Sequence, residues 1–208
     1  MKHICTVSDY NYCVKGLALY ESIKNNSSDF IFHYLCTDDE MFNKIKQYEC
    51  DSLKIYSLDQ FKDDTILINL KQTDYKYFCY TLASYFTNFL LQTDIDSITY
   101  IDSDIFFHDN ISIMYDEIGD KDVGIFRHRH WPLDSNPPEG LFNVGVVYFK
   151  QSELGRSVLE WWSDAVLNRK HKHLSSCGDQ KYLDYFPQLC PPDNLFIDGN
   201  IGHGAPWH

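Results

Sequence analysis

Over the first half of the chain, short apolar runs alternate with stretches whose apolar residues recur at helical spacing. Ile4–Val7 reads as a strand, followed by the polar loop Ser8-Asp9-Tyr10-Asn11-Tyr12. Gly16–Lys24 carries apolar residues at helical spacing and stops at the turn cluster Asn25-Asn26-Ser27-Ser28. Phe30–Cys36 predicts a second strand, and Asp38–Tyr48 an amphipathic helix with Thr37 or Asp38 as N-cap. Leu53–Leu58 is a third strand, Thr81–Leu91 an aromatic, buried helix and Ile98–Ile101 a fourth strand. Strands alternating with helices predict an α/β fold, a mostly parallel mixed sheet flanked by helices on both faces. In such sheets ligands collect outside the carboxyl ends of the strands. Asp9 and the pair Asp102 and Asp104 both fall at such ends.

The second half is less regular. Asp122–Phe126 is a strand, and His130–Gly140 a loop with three prolines and lid-like composition. Phe142–Phe149 predicts a strand holding Gly145, a position where a ligand or backbone can approach closely. Ser152–Leu167 is a helix whose Trp161 and Trp162 read as packing residues rather than sugar platforms. Gln180–Tyr185 is a short helix closed by Pro187, and a glycine-rich tail runs from Gly199 to His208. With no repeat or linker, the 208 residues suit one domain.

Composition narrows the classes. A hydrophobic content of 44% with 16% aromatic residues excludes a disordered chain. A net charge of −12 excludes nucleic acid as a partner on bulk electrostatics. Two basic islands interrupt it. Arg169 to His173 reads as solvated surface, whereas Arg127-His128-Arg129-His130 is divided between surface charge and phosphate or acceptor contact. Seven cysteines without a CxxC pair fit neither a zinc cluster nor a secreted disulfide framework, and suit reduced thiols in the cytoplasm. The N-terminus has no signal-peptide h-region, and no apolar run approaches the ~20 residues of a membrane-spanning helix. Peripheral association with the inner face of a membrane stays open.

The richest stretch chemically is Ile98-Thr99-Tyr100-Ile101-Asp102-Ser103-Asp104-Ile105-Phe106-Phe107. In an extended strand Asp102 and Asp104 would share one side, with Cα atoms roughly 6.6 Å apart at a rise of about 3.3 Å per residue. Two hard oxygen ligands so held can grip a divalent cation and leave its other positions to water and a diphosphate. The competing reading is a solvated strand end. An acidic chain makes Asp-x-Asp by chance, and Asp94-Ile95-Asp96, at a helix end, is such a case. Asp9 is equally readable as a turn or N-cap residue, Asn143 as an asparagine satisfied by backbone, and Asp179 as a helix cap. Tyr80, Thr81 and Ser84, ahead of the Ile98–Ile101 strand, can face a ligand there but read better as core.

Four segments then appear in order: Thr6-Val7-Ser8-Asp9-Tyr10-Asn11-Tyr12 with Gly16-Leu17-Ala18-Leu19-Tyr20-Glu21-Ser22; Tyr100-Ile101-Asp102-Ser103-Asp104; Gly140 to Phe149; and Gly178-Asp179-Gln180-Lys181-Tyr182-Leu183. With Ala205-Pro206-Trp207 behind them, the chain resembles GT-A-type nucleotide-sugar glycosyltransferases. It is most similar to glycosyltransferase family 8 and related bacterial surface-polysaccharide transferases. The resemblance implies a hexosyltransferase that uses a nucleoside-diphosphate sugar, UDP-sugar being the expected donor, and a glycan or glycolipid acceptor. It implies that residues 1–107 form a nucleotide-binding half and 108–208 a donor-sugar and acceptor half, with Val7, Ser8, Asp9 and Tyr12 holding the nucleobase and ribose. Asp102 and Asp104 would bind Mn2+ or Mg2+, and Ser103 would lie near the ribose or sugar. Asn143, Gly145 and Gly178 would line the donor-sugar pocket, Asp179 and Gln180 would sit by the anomeric carbon, and Trp207 would cover the diphosphate. Arg127, His128 and Arg129 would face the acceptor.

One segment departs from the pattern. The family closes with His-x-x-Gly-x-x-Lys-Pro-Trp, its His a metal ligand and its Lys on phosphate. Here those two positions are Gly199 and Ala205. His203, His208 or water is left to supply the third ligand. A degenerate member that binds nucleotide or glycan without turnover is the alternative this departure raises. A nucleotidyltransferase would want a glycine-rich, basic loop after the first strand, which Ser8 to Tyr12 is not.

Overall fold

The computed structural model describes residues 1–128, 138–171 and 178–197. Among these, seven strands form one sheet: β1 (Lys2–Ser8), β2 (Phe30–Cys36), β3 (Leu53–Tyr56), β4 (Ser97–Ile101), β5 (Val123–Arg127), β6 (Phe142–Lys150) and β7 (Leu195–Ile197). Their spatial order is β3-β2-β1-β4-β6-β5-β7. The β1, β2, β3 and β4 pairings are parallel, as is β5 with β7, and β6 runs antiparallel to both its neighbours. The expected mostly parallel mixed sheet is therefore present, with one reversed strand, β6, fifth of the seven.

Alternate side chains on the strands feed two cores, as the two-residue period demands. Cys5, Leu35, Tyr100, Val147 and Phe149 face one core, with α4 (Tyr75–Leu91) and α6 (Glu153–Leu167) packed over them. Ile4, Phe32, Tyr34, Ile101, Val146 and Tyr148 face the other, under α1 (Cys13–Asn26), α2 (Asp39–Ile45) and α5 (Ser112–Ile118). Helix starts follow their caps. Asp38 accepts from the Met41 N–H, Asp64 from Leu67 at the head of α3 (Thr65–Thr73), Asp74 from Tyr77, and Ser152 from Gly155. Gly16 lets α1 press on β2: a Cβ there would lie 1.8 Å from the Tyr34 hydroxyl.

Several boundaries move. The Asp38–Tyr48 helix is α2 followed by a 3-10 turn, Lys46–Tyr48. The buried aromatic helix starts at Tyr75 rather than Thr81, because Asp74 caps it. Pro187 does not close the Gln180–Tyr185 segment. That segment is a 3-10 turn running into α7 (Phe186–Leu189), where proline occupies the first turn and its missing N–H costs nothing. Trp162 is fully buried and Trp161 stacks on Tyr185, so both pack. Part of the His130–Gly140 loop and the whole Gly199–His208 tail lie outside the described residues. No helix among the described residues is long and apolar enough to cross a membrane.

Candidate active site

A cavity of about 710 Å3 opens at the carboxyl ends of β1 and β4. Three chain segments from the sequence meet there: Val7, Ser8, Asp9 and Tyr12 from the loop after β1, Asp102, Ser103 and Asp104 after β4, and Asp179 with Gln180. Thr37, Cys79, Tyr80, Ala83, Tyr100, Glu139 and Val144 complete the lining.

The first loop is held by its own acid. Asp9 Oδ1 accepts from the Tyr12 N–H at 3.1 Å and caps a 3-10 turn over Tyr10–Tyr12. Asp38 Oδ2 accepts from the Tyr10 N–H at 2.8 Å, tying the loop to α2. The cap reading of Asp9 is thus correct locally, and the same residue also faces the cavity.

Asp102 and Asp104 do not lie in a strand. β4 ends at Ile101, and the Ile105 N–H donates to the Asp102 carbonyl at 3.2 Å, so the pair stands on a turn rather than on one face of an extended segment. The turn gives them different surroundings. Asp102 is partly buried: its N–H donates to the Gly145 carbonyl at 2.9 Å, and its Oδ1 accepts from the Tyr100 hydroxyl at 2.8 Å. Burial raises its pKa to about 6, with the Tyr100 hydrogen bond lowering it and the Asp104 charge raising it in turn. Asp104 is exposed, with Lys15 Nζ 3.8 Å from its Oδ2.

Asp179 is 4% exposed, and burial, then the negative charge of Asp102, pushes its carboxyl well above the usual range. It stands at the N-cap position of the 3-10 turn, yet its side chain makes no capping hydrogen bond. Gly178, with φ +69°, makes the sharp turn before it, and Trp162 Nε1 donates to the Asp179 carbonyl at 3.2 Å. Gln180 spends both ends of its amide on the framework, donating to the Glu139 carbonyl at 3.0 Å and accepting from the Val144 N–H at 3.3 Å. Asn143 Oδ1 accepts from the Gly145 N–H at 2.6 Å, so its amide oxygen is satisfied by backbone. Neither Asn143, Gly145 nor Gly178 lines the cavity. Gly145 lies just behind it, where a Cβ would be 3.6 Å from Asp102 Oδ2 and 2.7 Å from Asn143 Oδ1.

Arg127 is exposed at the end of β5 and the His128 N–H donates to the Leu141 carbonyl at 2.9 Å; neither lines the cavity. Arg129, His203, Trp207 and His208 lie outside the described residues. Tyr80, read as core, lines the cavity and packs on Gly178, whose added Cβ would lie 2.7 Å from the Tyr80 ring. Thr81 and Ser84 are buried and bond back to carbonyls of α4. Sequence alone does not separate the two readings of Tyr80, because an aromatic residue on a buried helix looks the same whether it meets a neighbour or a cavity.

The donor chemistry suits a hard divalent cation. Asp102 keeps Oδ2 beside Gly145, Asp104 has an exposed carboxylate, and no group of three ligating side chains forms among the described residues. Two carboxylate oxygens with open positions match the habits of Mg2+ or Mn2+, and do not make a closed zinc site.

The sheet order, the reversed strand β6 within it and the cavity at the strand ends make this a GT-A-like α/β fold. No family model matches the chain. It is 27% identical over 217 residues to the uncharacterized protein YfnF of Bacillus subtilis, covering 96% of this chain and 70% of YfnF. Among solved structures it is similar to mouse xyloside xylosyltransferase 1, with a TM-score of 0.59 and 15% identity over 95% of this chain and 84% of that one. The glycosyltransferase GlyE of Streptococcus pneumoniae TIGR4 gives a TM-score of 0.61 and 18% identity over 96% of this chain and 45% of that one. The galactosyltransferase LgtC, solved with donor and acceptor sugar analogs, gives 0.57 and 15% over 95% and 73%. At these identities the likeness is one of fold.

Proposed function

We propose that the protein is a metal-dependent glycosyltransferase of the family 8 type. It would move a hexosyl group from a nucleoside-diphosphate sugar, UDP-sugar being the expected donor, to a glycan or lipid-linked acceptor in bacterial surface polysaccharide synthesis. The observation that carries this reading is the gathering of three separate segments, Val7–Tyr12, Asp102–Asp104 and Asp179–Gln180, on one cavity. The glycosyltransferases that share the fold support it, LgtC having been solved with donor and acceptor sugar analogs.

In this reading the loop after β1 takes the nucleoside, with Asp9 as its polar contact and Tyr12 and Tyr80 as aromatic walls. Asp102 and Asp104 would hold Mn2+ or Mg2+, which when bound offsets the charge of the diphosphate leaving group. The acceptor hydroxyl oxygen bonds to the anomeric carbon as the bond to the phosphate oxygen breaks. The diphosphate leaves with the electron pair, and the hydroxyl proton passes to solvent. Asp179, whose carboxyl is pushed well above the usual range by burial and then by the charge of Asp102, lines the cavity where it can hydrogen-bond a sugar hydroxyl. Trp162 and Gly178 hold it at that spot.

The test is release of free UDP from a panel of UDP-hexoses, with and without Mn2+, across mixed glycan and glycolipid acceptors. Manganese-dependent release that disappears in Asp102→Asn is expected. Release that survives both EDTA and that substitution would sink the mechanism. A second reading, binding without turnover, is favoured by Gly199 and Ala205 standing where the family pattern has His and Lys. Measurable turnover of any nucleotide sugar removes it.

A further inference from the structure

The cavity presents a charge imbalance. Among the described residues it is lined by five acidic side chains, Asp9, Asp102, Asp104, Glu139 and Asp179, and by no lysine or arginine. A nucleoside diphosphate would add more negative charge, and one divalent cation offsets only two units. We propose that Lys15 is the protein's own cation for the diphosphate, stored against Asp104 until the substrate arrives. The proposal rests on the nucleoside-diphosphate reading above.

Lys15 lies in the first turn of α1, and its ammonium has two neighbours, both of which line the cavity. Nζ is 3.8 Å from Asp104 Oδ2 and 4.2 Å from the centre of the Tyr12 ring. The local structure offers no reason of its own for a cation there. The head of a helix favours anions, so Lys15 works against the dipole of α1. The pair with Asp104 is half-exposed on both sides, at 53% and 51%, and exposed pairs add little to stability. The stem is nonetheless well anchored. Gly16, the next residue, is pressed on the Tyr34 hydroxyl, which also bonds Ser8 at 2.8 Å, so the Lys15 backbone is fixed relative to the β1 loop. A flexible side chain on a fixed base, held by one weak ion pair and a ring face, can swing onto a phosphate at small cost. Of the other lysines beside the cavity lining, Lys71 is turned to the Thr37 carbonyl at 3.5 Å, Lys181 to the Pro138 carbonyl at 3.0 Å, Lys44 to the Tyr10 hydroxyl at 2.7 Å and Lys76 to the Tyr80 ring.

The arrangement also makes Lys15 and a divalent cation competitors for Asp104 in the empty site, and partners once a diphosphate is bound. That predicts shifts of opposite sign. In Lys15→Met, Mn2+ alone, followed by electron paramagnetic resonance of the free ion, should bind roughly two- to fivefold tighter, the exposed pair being weak. UDP titrated calorimetrically in saturating Mn2+ should bind about 10- to 100-fold more weakly, as expected on losing a charge-assisted phosphate contact. Uridine should bind both proteins alike, and Lys15→Arg should recover most of the UDP affinity. Wild type and Lys15→Met that bind UDP equally would overturn the role of Lys15 while leaving the site reading standing. An equal loss for uridine and UDP would also overturn it, since that would mean Lys15 only props the loop. A folded wild type that binds no nucleoside diphosphate in Mn2+ would overturn the site reading and the Lys15 role together.

Discussion

The parallel flank of the sheet and the flank built on the reversed strand β6 serve the cavity by different means. On the parallel side, β1 and β4 end and their next residues turn into the cavity, so a short loop carries Asp9 and a turn carries Asp102 and Asp104. On the other side nothing arrives so directly. Asp102 is backed by the Gly145 carbonyl, Val144 and Glu139 are tied through Gln180, and Asp179 is delivered by a left-handed glycine and a tryptophan hydrogen bond. One flank offers carboxylates on backbone that the sheet itself positions. The other is a hydrogen-bonded frame which, under the proposed function, would fix where a sugar sits. Damage to the first should cost chemistry with little loss of fold, and damage to the second should cost both.

Asp104→Ala is the largest break expected. Asp104 is exposed, so the melting temperature should hardly move, while sugar transfer in Mn2+ falls on the order of 100- to 1,000-fold. Unchanged turnover in excess metal would put the chemistry elsewhere.

Titration comes next. Burial lifts the Asp102 carboxyl from its ordinary pKa of 3.8 to about 6 in the fold. Its protonated form therefore contributes stability that is fully present below the unfolded value and is lost as pH rises through 6. Relative to Asp102→Asn, the metal-free wild type should lose stability on the order of 3 kcal/mol between about pH 4 and pH 7. The variant is needed because His33 runs the other way. Burial, helped by the His3 and Lys54 charges, lowers its pKa to about 3, so its contribution is present above its unfolded value of 6.5 and is lost as pH falls toward 3. Melting curves of both proteins across this range give the difference, and a flat difference would mean Asp102 is already ionised without cost. Mn2+ affinity should rise with pH over the same window, since the ligand must lose its proton.

On the frame side, Gly178→Ala forces a side chain into a left-handed backbone and to within 2.7 Å of the Tyr80 ring. A loss of about 1–3 kcal/mol by denaturant titration is expected, together with weaker donor binding. Stability and donor binding both unchanged would mean the frame does not hold Asp179 as described.

The smallest effect separates two jobs of one residue. Asp9→Asn keeps the cap of the Tyr10–Tyr12 turn, so stability should stay near wild type, while Asp9→Ala should lose about 1 kcal/mol. If Asp9 touches the nucleoside, both substitutions weaken nucleotide binding. If it only caps, Asp9→Asn binds like wild type.

The same division explains what was legible. The bounds of β2, Phe30–Cys36, follow from an apolar run between turn clusters, and Asp38 announces α2 by its capping chemistry. The loops after β1 and β4 could be placed because strand ends in a parallel sheet have a known side. Helix α3 was missed because its isoleucines, Ile66 and Ile68, are exposed and break the amphipathic period, leaving only the Asp64 cap as a signal. The three-residue strand β7 and the seven-residue helix α5 are too short to carry a period. The frame was unreadable for another reason. The links from Gln180 to Glu139 and Val144, and from Asp184 to the Leu141 N–H, join residues 36 to 43 positions apart and leave no local pattern. Asp102 and Asp104 were found by composition and order but given the wrong backbone, since a strand pattern does not show where the strand stops.

Calorimetric titration of UDP into the wild type and into Asp104→Ala, each with Mn2+ and with EDTA, is the measurement that decides most. A metal-bridged diphosphate site predicts binding by the wild type in Mn2+ that is lost in EDTA and equally lost in Asp104→Ala. UDP binding of the same strength in all four titrations would contradict it.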